Sequence, residues 1–122
     1  MLKDNHIWST GSISKSVTKA KLATGHATKI EVECQSLEEA FEAGKAGADI
    51  VMLDNFTPEH LTRDAAIFKK KYPHVIVEAS GGITIDNICS YLCKDVDVIS
   101  QGILTQGYGS VDFSMKLPKP VK

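Results

Sequence analysis

Apolar and polar positions along the chain alternate between short strand-like runs and longer helical periods. From Thr28 to Cys34 the alternation is strict. Ile30, Val32 and Cys34 take one side and Glu31 and Glu33 the other, which is the period of a pleated strand. Ser36-Leu-Glu-Glu39 then reads as a capping box, with Ser36 as N-cap and Glu39 at N3, opening a helix to about Ala46 that Gly47 ends. Asp49 to Leu53 is a near-continuous apolar strand, the pattern of a strand covered on both faces. Thr57-Pro58-Glu59 restarts the cycle as N-cap, proline at N1 and an acid in the first turn. The helix that follows carries Leu61, Ala65, Phe68 and Tyr72 and stops before Pro73. Val75–Ala79 is the next strand, leading into Ser80-Gly81-Gly82, and Thr84 is expected to cap a helix bearing Ile88, Tyr91 and Leu92 to Cys93. Val96–Ser100 is another strand, ending in Gln101-Gly102. Met1-Leu2 looks like the last part of a strand, followed by the polar cluster Lys3-Asp4-Asn5-His6 and a helix over Ser14–Thr24 that Gly25 closes. Asp112–Leu117 is a further possible strand, with 118–122 a loose tail.

Strand ends thus fall near positions 2, 34, 53, 79 and 99, and steps of roughly 20–32 residues are the length of a strand-plus-helix unit. Consecutive parallel strands of this kind give a doubly wound sheet or an α/β barrel. The alternation of the Thr28–Cys34 strand favours the barrel, whose inward face near the rim is often polar. In both architectures ligands bind at the C-terminal ends of the strands.

Charge narrows the function. With 14 basic against 15 acidic residues and no long basic run, nothing supports a nucleic-acid or membrane-surface partner. Apolar runs reach about five residues, far short of the roughly 20 that span a bilayer. The first residues carry no signal-peptide pattern, so a cytoplasmic setting is expected. Cys34, Cys89 and Cys93 lack zinc spacing. Cys89 and Cys93 share a helix face, and all three are expected as small buried hydrophobes rather than ligands or a disulfide.

If all strands run parallel, one rim collects Lys3, Glu33, Asp54 with Asn55, Ser80-Gly81-Gly82 and Gln101-Gly102. Glycines there let backbone N–H groups approach a ligand, and a helix after Gly82 would add the positive end of its dipole. The pair of loops reads as a phosphate site, against the alternative of tight strand-to-helix turns. Glu33 and Asp54 could do general acid–base work, hold a divalent metal or hydrogen-bond sugar hydroxyls; they could equally form a salt-bridged rim with Lys3. Phosphate beside two carboxylates suggests a phosphorylated sugar, with magnesium shared between water and substrate oxygens. Of the four histidines only His6 lies near the rim, where it is expected as a local hydrogen-bonding residue.

Taken together, several of these segments resemble quinolinate phosphoribosyltransferase: Met1-Leu-Lys-Asp-Asn-His6, Lys29-Ile-Glu-Val-Glu-Cys34, Gly47-Ala-Asp-Ile-Val-Met-Leu-Asp-Asn-Phe56, Val77-Glu-Ala-Ser-Gly-Gly-Ile83, and Asp97-Val-Ile-Ser100 through Leu104-Thr-Gln106 to Asp112-Phe-Ser114. The resemblance covers essentially the whole chain in order. It implies parallel βα repeats forming part of an open TIM-like α/β barrel, with residues 1–117 as the C-terminal part of the catalytic domain. It further implies transfer of phosphoribose from phosphoribosyl pyrophosphate to quinolinate, with decarboxylation to nicotinate mononucleotide on a route to NAD. The full enzyme would be a homodimer or homohexamer with an N-terminal sandwich domain, and Mg2+ would accompany phosphoribosyl pyrophosphate. By the same resemblance Lys3 would contact anionic substrate groups, and Glu33 and Asp54 the ribose hydroxyls, partly through magnesium. Ser80, Gly81 and Gly82, with Gln101 and Gly102, would hold the 5′-phosphate.

One departure from the family is large. Its enzymes read quinolinate and pyrophosphate with several arginines and lysines and a histidine, whereas the only arginine here is Arg63. A polyanionic substrate pair facing two carboxylates and one lysine should bind poorly. The chain is therefore expected to be the C-terminal portion of such an enzyme, without the sandwich domain and early barrel strands, and inactive alone. The alternatives are a non-catalytic phosphate-binding or assembly domain and a related nicotinate-type phosphoribosyltransferase.

Overall fold

In a computed structural model of the chain, strands β1 (Glu31–Cys34), β2 (Ile50–Asp54), β3 (Ile76–Ser80) and β4 (Val98–Ile99) form one parallel sheet in the order β1-β2-β3-β4. The structure describes residues 1–106 and 113–116. Leu2 extends the sheet beyond β1 by an isolated parallel bridge to Val32. Its N–H donates to the Glu31 carbonyl at 2.7 Å and its carbonyl accepts from the Glu33 N–H at 2.9 Å. Spatial order follows chain order throughout, without the reversal that marks the switch point of a doubly wound sheet. This is the winding of part of an α/β barrel, as the alternation of β1 suggested.

Among the described residues five helices accompany the strands: α1 (Asp4–Thr10), α2 (Ile13–Thr24), α3 (Leu37–Ala46), α4 (Pro58–Lys71) and the short α5 (Ile88–Tyr91). The core lies between the longer helices and one face of the sheet. Register aligns Val32, Val51 and Val77 in one row and Cys34, Leu53 and Ala79 in the next, and no side chain in either row is more than 1% exposed. Val17 of α2, Ala40 and Ala43 of α3, and Leu61, Ala65 and Phe68 of α4 complete this cluster. The small residues of α3 let it lie close to its neighbours; a side chain at Gly44 would meet the Tyr72 ring at 2.9 Å. The opposite face carries Glu31, Ile50 and Ile76 in one row and Glu33, Met52, Glu78 and Val98 in another, the mixed polar surface of an inward-facing side.

Aspartates stitch the starts of the strands. Asp49, just before β2, accepts from the Ile30 N–H at 2.8 Å. Asp97, just before β4, accepts from the Val77 N–H at 2.8 Å and pairs with Lys69 at 2.6 Å. Caps act largely as read from the sequence. The hydroxyls of Ser36 and Thr57 accept from the N–H groups of Glu39 and His60, and Gly47 ends α3 at φ 87°. The Glu39 carboxylate reaches back to the Gln35 N–H at 2.8 Å, one residue further than a capping box has it.

Several expectations are corrected. Residues 4–10 form α1 rather than a polar connection: His6 Nδ1 accepts from the Lys3 N–H at 3.1 Å and Gly11 closes the helix in the left-handed region at φ 91°. The helix expected from Thr84 to Cys93 shrinks to Ile88–Tyr91, because Asn87 Oδ1 takes the Thr84 N–H at 2.8 Å and holds the preceding residues as turns. Cys93 falls outside the helix and Cys89 is exposed; all three cysteines are free, and only Cys34 is buried as expected. β4 is two residues long rather than five. Of the strand expected over Asp112–Leu117, residues 113–116 are irregular and exposed, while Asp112, Leu117 and the 118–122 tail lie outside the described residues.

Candidate functional site

Parallel strands bring their C-terminal ends to one rim, and most of the expected residues arrive there. Lys3 follows directly on the Leu2 bridge, so its side chain leaves the sheet beside β1. Its Nζ lies 3.3 Å from Glu33 Oε2, with the lysine side chain 57% exposed and the glutamate 10%. An exposed cation over a nearly buried carboxylate leaves the lysine free to swing toward an incoming anion.

Asp54 ends β2 and stands opposite Ser80, the last residue of β3. Its Oδ2 accepts from Asn55 Nδ2 at 2.6 Å and from Gln35 Nε2 at 3.0 Å. No hydrogen bond reaches its Oδ1 among the described residues, so one oxygen is held by amides while the other stays available. The Asn55 N–H donates to the Ser80 carbonyl at 2.9 Å. This draws the carboxylate end of β2 against the glycine turn of β3.

That turn requires glycine. Gly81 has φ 96°, and a Cβ there would sit 2.6 Å from the Asn55 nitrogen; Gly82 has φ 63°. L side chains rarely tolerate such angles. Asn87 Nδ2 donates to the Gly82 carbonyl at 3.0 Å and fixes the far side of the loop. The N–H groups of Gly81 and Gly82 make no hydrogen bond among the described residues, which leaves two donors for an anion. The helix-dipole contribution expected after Gly82 does not apply: α5 starts at Ile88 and has four residues.

Gln101 follows β4, which the Ser100 N–H ties to the Ala79 carbonyl at 2.9 Å. Its Nε2 is buried and unpartnered among the described residues, a donor suited to a ligand oxygen. Gly102 opens a 3-10 turn, Gly102–Leu104. A Cβ there would meet only Gln106, at 3.6 Å, so neither space nor backbone demands glycine at this position.

The sheet face below the rim is acidic. Burial first, and then the Glu78 carboxylate, push the Glu31 carboxyl above its ordinary pKa, and one Glu31 oxygen is buried without a partner. Glu78 accepts from the Ser100 hydroxyl at 2.5 Å. Among the described residues no three His, Cys, Asp or Glu side chains are grouped to hold a metal ion, and no helix is long and apolar enough to cross a membrane. A cavity of about 540 Å³ lined by Lys21, His26, Lys29 and Asp49 lies at the opposite end of the sheet; it holds none of the rim residues.

Sequence reasoning missed Gln35 as a partner of Asp54 and left Asn55 without a role. Each follows a strand end directly, and an Asn after an Asp at such a site is a mark of left-handed backbone. His6 serves as the local hydrogen-bonding residue expected of it.

Comparison with known proteins matches residues 1–116 to the model of the quinolinate phosphoribosyl transferase C-terminal domain. Nicotinate-nucleotide pyrophosphorylase (carboxylating) of Rattus norvegicus is 55% identical over 117 residues, covering 96% of this chain and 39% of that protein. The same-named protein of Homo sapiens is 50% identical over 117 residues, with 96% and 39% covered. Among solved structures, NadC from Streptococcus pyogenes aligns with a TM-score of 0.80 at 38% identity, covering 95% of this chain and 40% of that one. The chain thus spans about two fifths of the length of these relatives.

Proposed function

This chain belongs to the quinolinate phosphoribosyl transferase family through the family's C-terminal domain, and from that premise we propose that it supplies the ribose-phosphate side of a site transferring phosphoribose to quinolinate. In the reaction the bond from ribose C1 to pyrophosphate breaks and a bond to the quinolinate nitrogen forms. The adjacent ring carboxylate then leaves as carbon dioxide and a proton takes its place, giving nicotinate mononucleotide. The observation that carries the reading is the pairing of Asp54 with Ser80 in the ladder, sealed by the Asn55-to-Ser80 hydrogen bond. It sets a carboxylate with one open oxygen against a glycine loop with two open N–H groups, the chemistry of a sugar hydroxyl beside its 5′-phosphate.

In this reading Gly81 and Gly82 donate to the phosphate, with Ser80 and Gln101 beside them and Gly102 in the adjoining turn. Asp54 and Glu33 accept from ribose hydroxyls, and their negative charge favours the cationic sugar that develops as pyrophosphate departs. Lys3 moves from Glu33 toward the anionic groups. With no cluster of three metal-holding side chains among the described residues, Asp54 and Glu33 would hold magnesium only together with substrate oxygens and water, and the ion would supply charge neutralisation for the pyrophosphate.

Positive charge is what this rim lacks. Arg63 is committed to both Asp64 oxygens, at 2.7 and 3.0 Å, and Lys116 lies 3.7 Å from the Asp4 carboxylate, which leaves Lys3 as the cation beside Glu33. Two quinolinate carboxylates and a pyrophosphate need more cations than that, and no quinolinate turnover is expected from the 122 residues alone. Calorimetry with phosphoribosyl pyrophosphate and Mg2+ on wild type and Asp54→Ala tests the site. The wild type is expected to bind and the variant to lose about tenfold in affinity; equal heats from both would sink the assignment of Asp54.

A further inference from the structure

Asn55 occupies a conformation that packing does not demand. It is exposed, yet it is the only described non-glycine residue with positive φ, at 58°. A left-handed non-glycine residue persists where neighbouring structure holds it. Three interactions do so. Its N–H reaches the Ser80 carbonyl at 2.9 Å, its Nδ2 reaches Asp54 Oδ2 at 2.6 Å, and its side chain fills the place where a Cβ on Gly81 would sit. One residue therefore touches both the carboxylate and the glycine loop.

We propose that Asn55 is a positioning residue: it orients Asp54 so that Oδ1 faces substrate, and fixes the spacing between that carboxylate and the Ser80–Gly82 loop. Gln35, directly after β1, assists by donating to the same Asp54 oxygen at 3.0 Å. With both amides on Oδ2, rotation that would bring Oδ2 to the substrate breaks two charge-assisted hydrogen bonds. The inference rests on the reading of Asp54 as a ribose ligand, but its geometric half stands on the free chain.

The test uses the 122-residue chain labelled with 15N. Side-chain amide signals of Asn55 and Gln35 are followed on Asp54→Ala, and affinities for phosphoribosyl pyrophosphate with Mg2+ and for inorganic phosphate are measured on wild type and Asn55→Gly. Glycine keeps the left-handed backbone and the N–H to Ser80, and removes the side-chain donor to Asp54 together with the contact over Gly81. Both amide pairs are expected to shift on Asp54→Ala. Asn55→Gly is expected to weaken phosphoribosyl pyrophosphate about tenfold while inorganic phosphate stays within about twofold. Amide signals indifferent to Asp54→Ala, wild-type affinity in the glycine variant, or equal loss for both ligands would each overturn the proposal; the last would make Asn55 a mere support of the loop. If the wild type binds no phosphoribosyl pyrophosphate while the amides respond to Asp54→Ala, the ribose assignment fails and the positioning of Asp54 stands.

Discussion

The N–H of Asn55 donates to the carbonyl of Ser80 at 2.9 Å, so the end of β2 and the glycine turn after β3 form one mechanical unit. Gly81→Ala tests that unit. Alanine would have to hold φ 96° with its methyl 2.6 Å from the Asn55 nitrogen. A loss on the order of 2–3 kcal/mol is expected in urea denaturation. Gly102→Ala, with ordinary space around it, should stay within about 0.5 kcal/mol.

Glu31 sets a pH dependence. Burial, and then Glu78, raise its folded pKa, so ionisation is disfavoured in the native chain. Its contribution is therefore harmless below the unfolded value, about 4.3, and stability falls as pH rises through that value toward the raised one. Glu31→Gln is expected to stabilise by about 0.5 kcal/mol at pH 7, discounted for partial exposure, with no gain at pH 4. Equal effects at both pH values would contradict this origin.

Asp97 works in the opposite direction. Burial pushes its carboxyl up, but the Lys69 ammonium and the Val77 N–H prevail and hold it below its ordinary value. Its stabilisation is full above the unfolded pKa, about 3.9, and is lost as pH falls through that value toward the folded one. Lys69→Met, which also removes a 2.8 Å hydrogen bond to the Val75 carbonyl, is expected to cost about 1 kcal/mol at pH 7. Thermal denaturation from pH 7 to pH 3 should show the gap to wild type narrowing.

Strands β1 to β3, the extent of α2, and helices α3 and α4 with their caps are legible because local signals and burial agree: Ser36, Thr57 and Gly47 each sit where an unpaired backbone group needs them, while the Ser12 cap of α2 lies ahead of the expected start at Ser14. The rim was legible because parallel strands make position within the repeat equivalent to position in space. What escaped depended on contacts between residues without a periodic pattern. Helix α1 rests on His6 accepting from the Lys3 N–H, and the shortened α5 on Asn87 capturing the Thr84 N–H. Neither interaction leaves a hydrophobic period. The amides of Gln35 and Asn55 were hidden likewise, since residues 19 and 1 positions from Asp54 converge on one oxygen only once β1 and β2 pair.

The most direct test of the rim as a ribose-phosphate site is a titration of ribose 5-phosphate with Mg2+ into 15N-labelled chain, following backbone amides. Gly81, Gly82 and Gln101 should shift together with Asp54 and Asn55, and Asp54→Ala should remove the response at 54–55 while the glycines still move. Shifts confined to Lys21, His26 and Lys29 at the opposite end of the sheet, with none at the rim, would contradict the site.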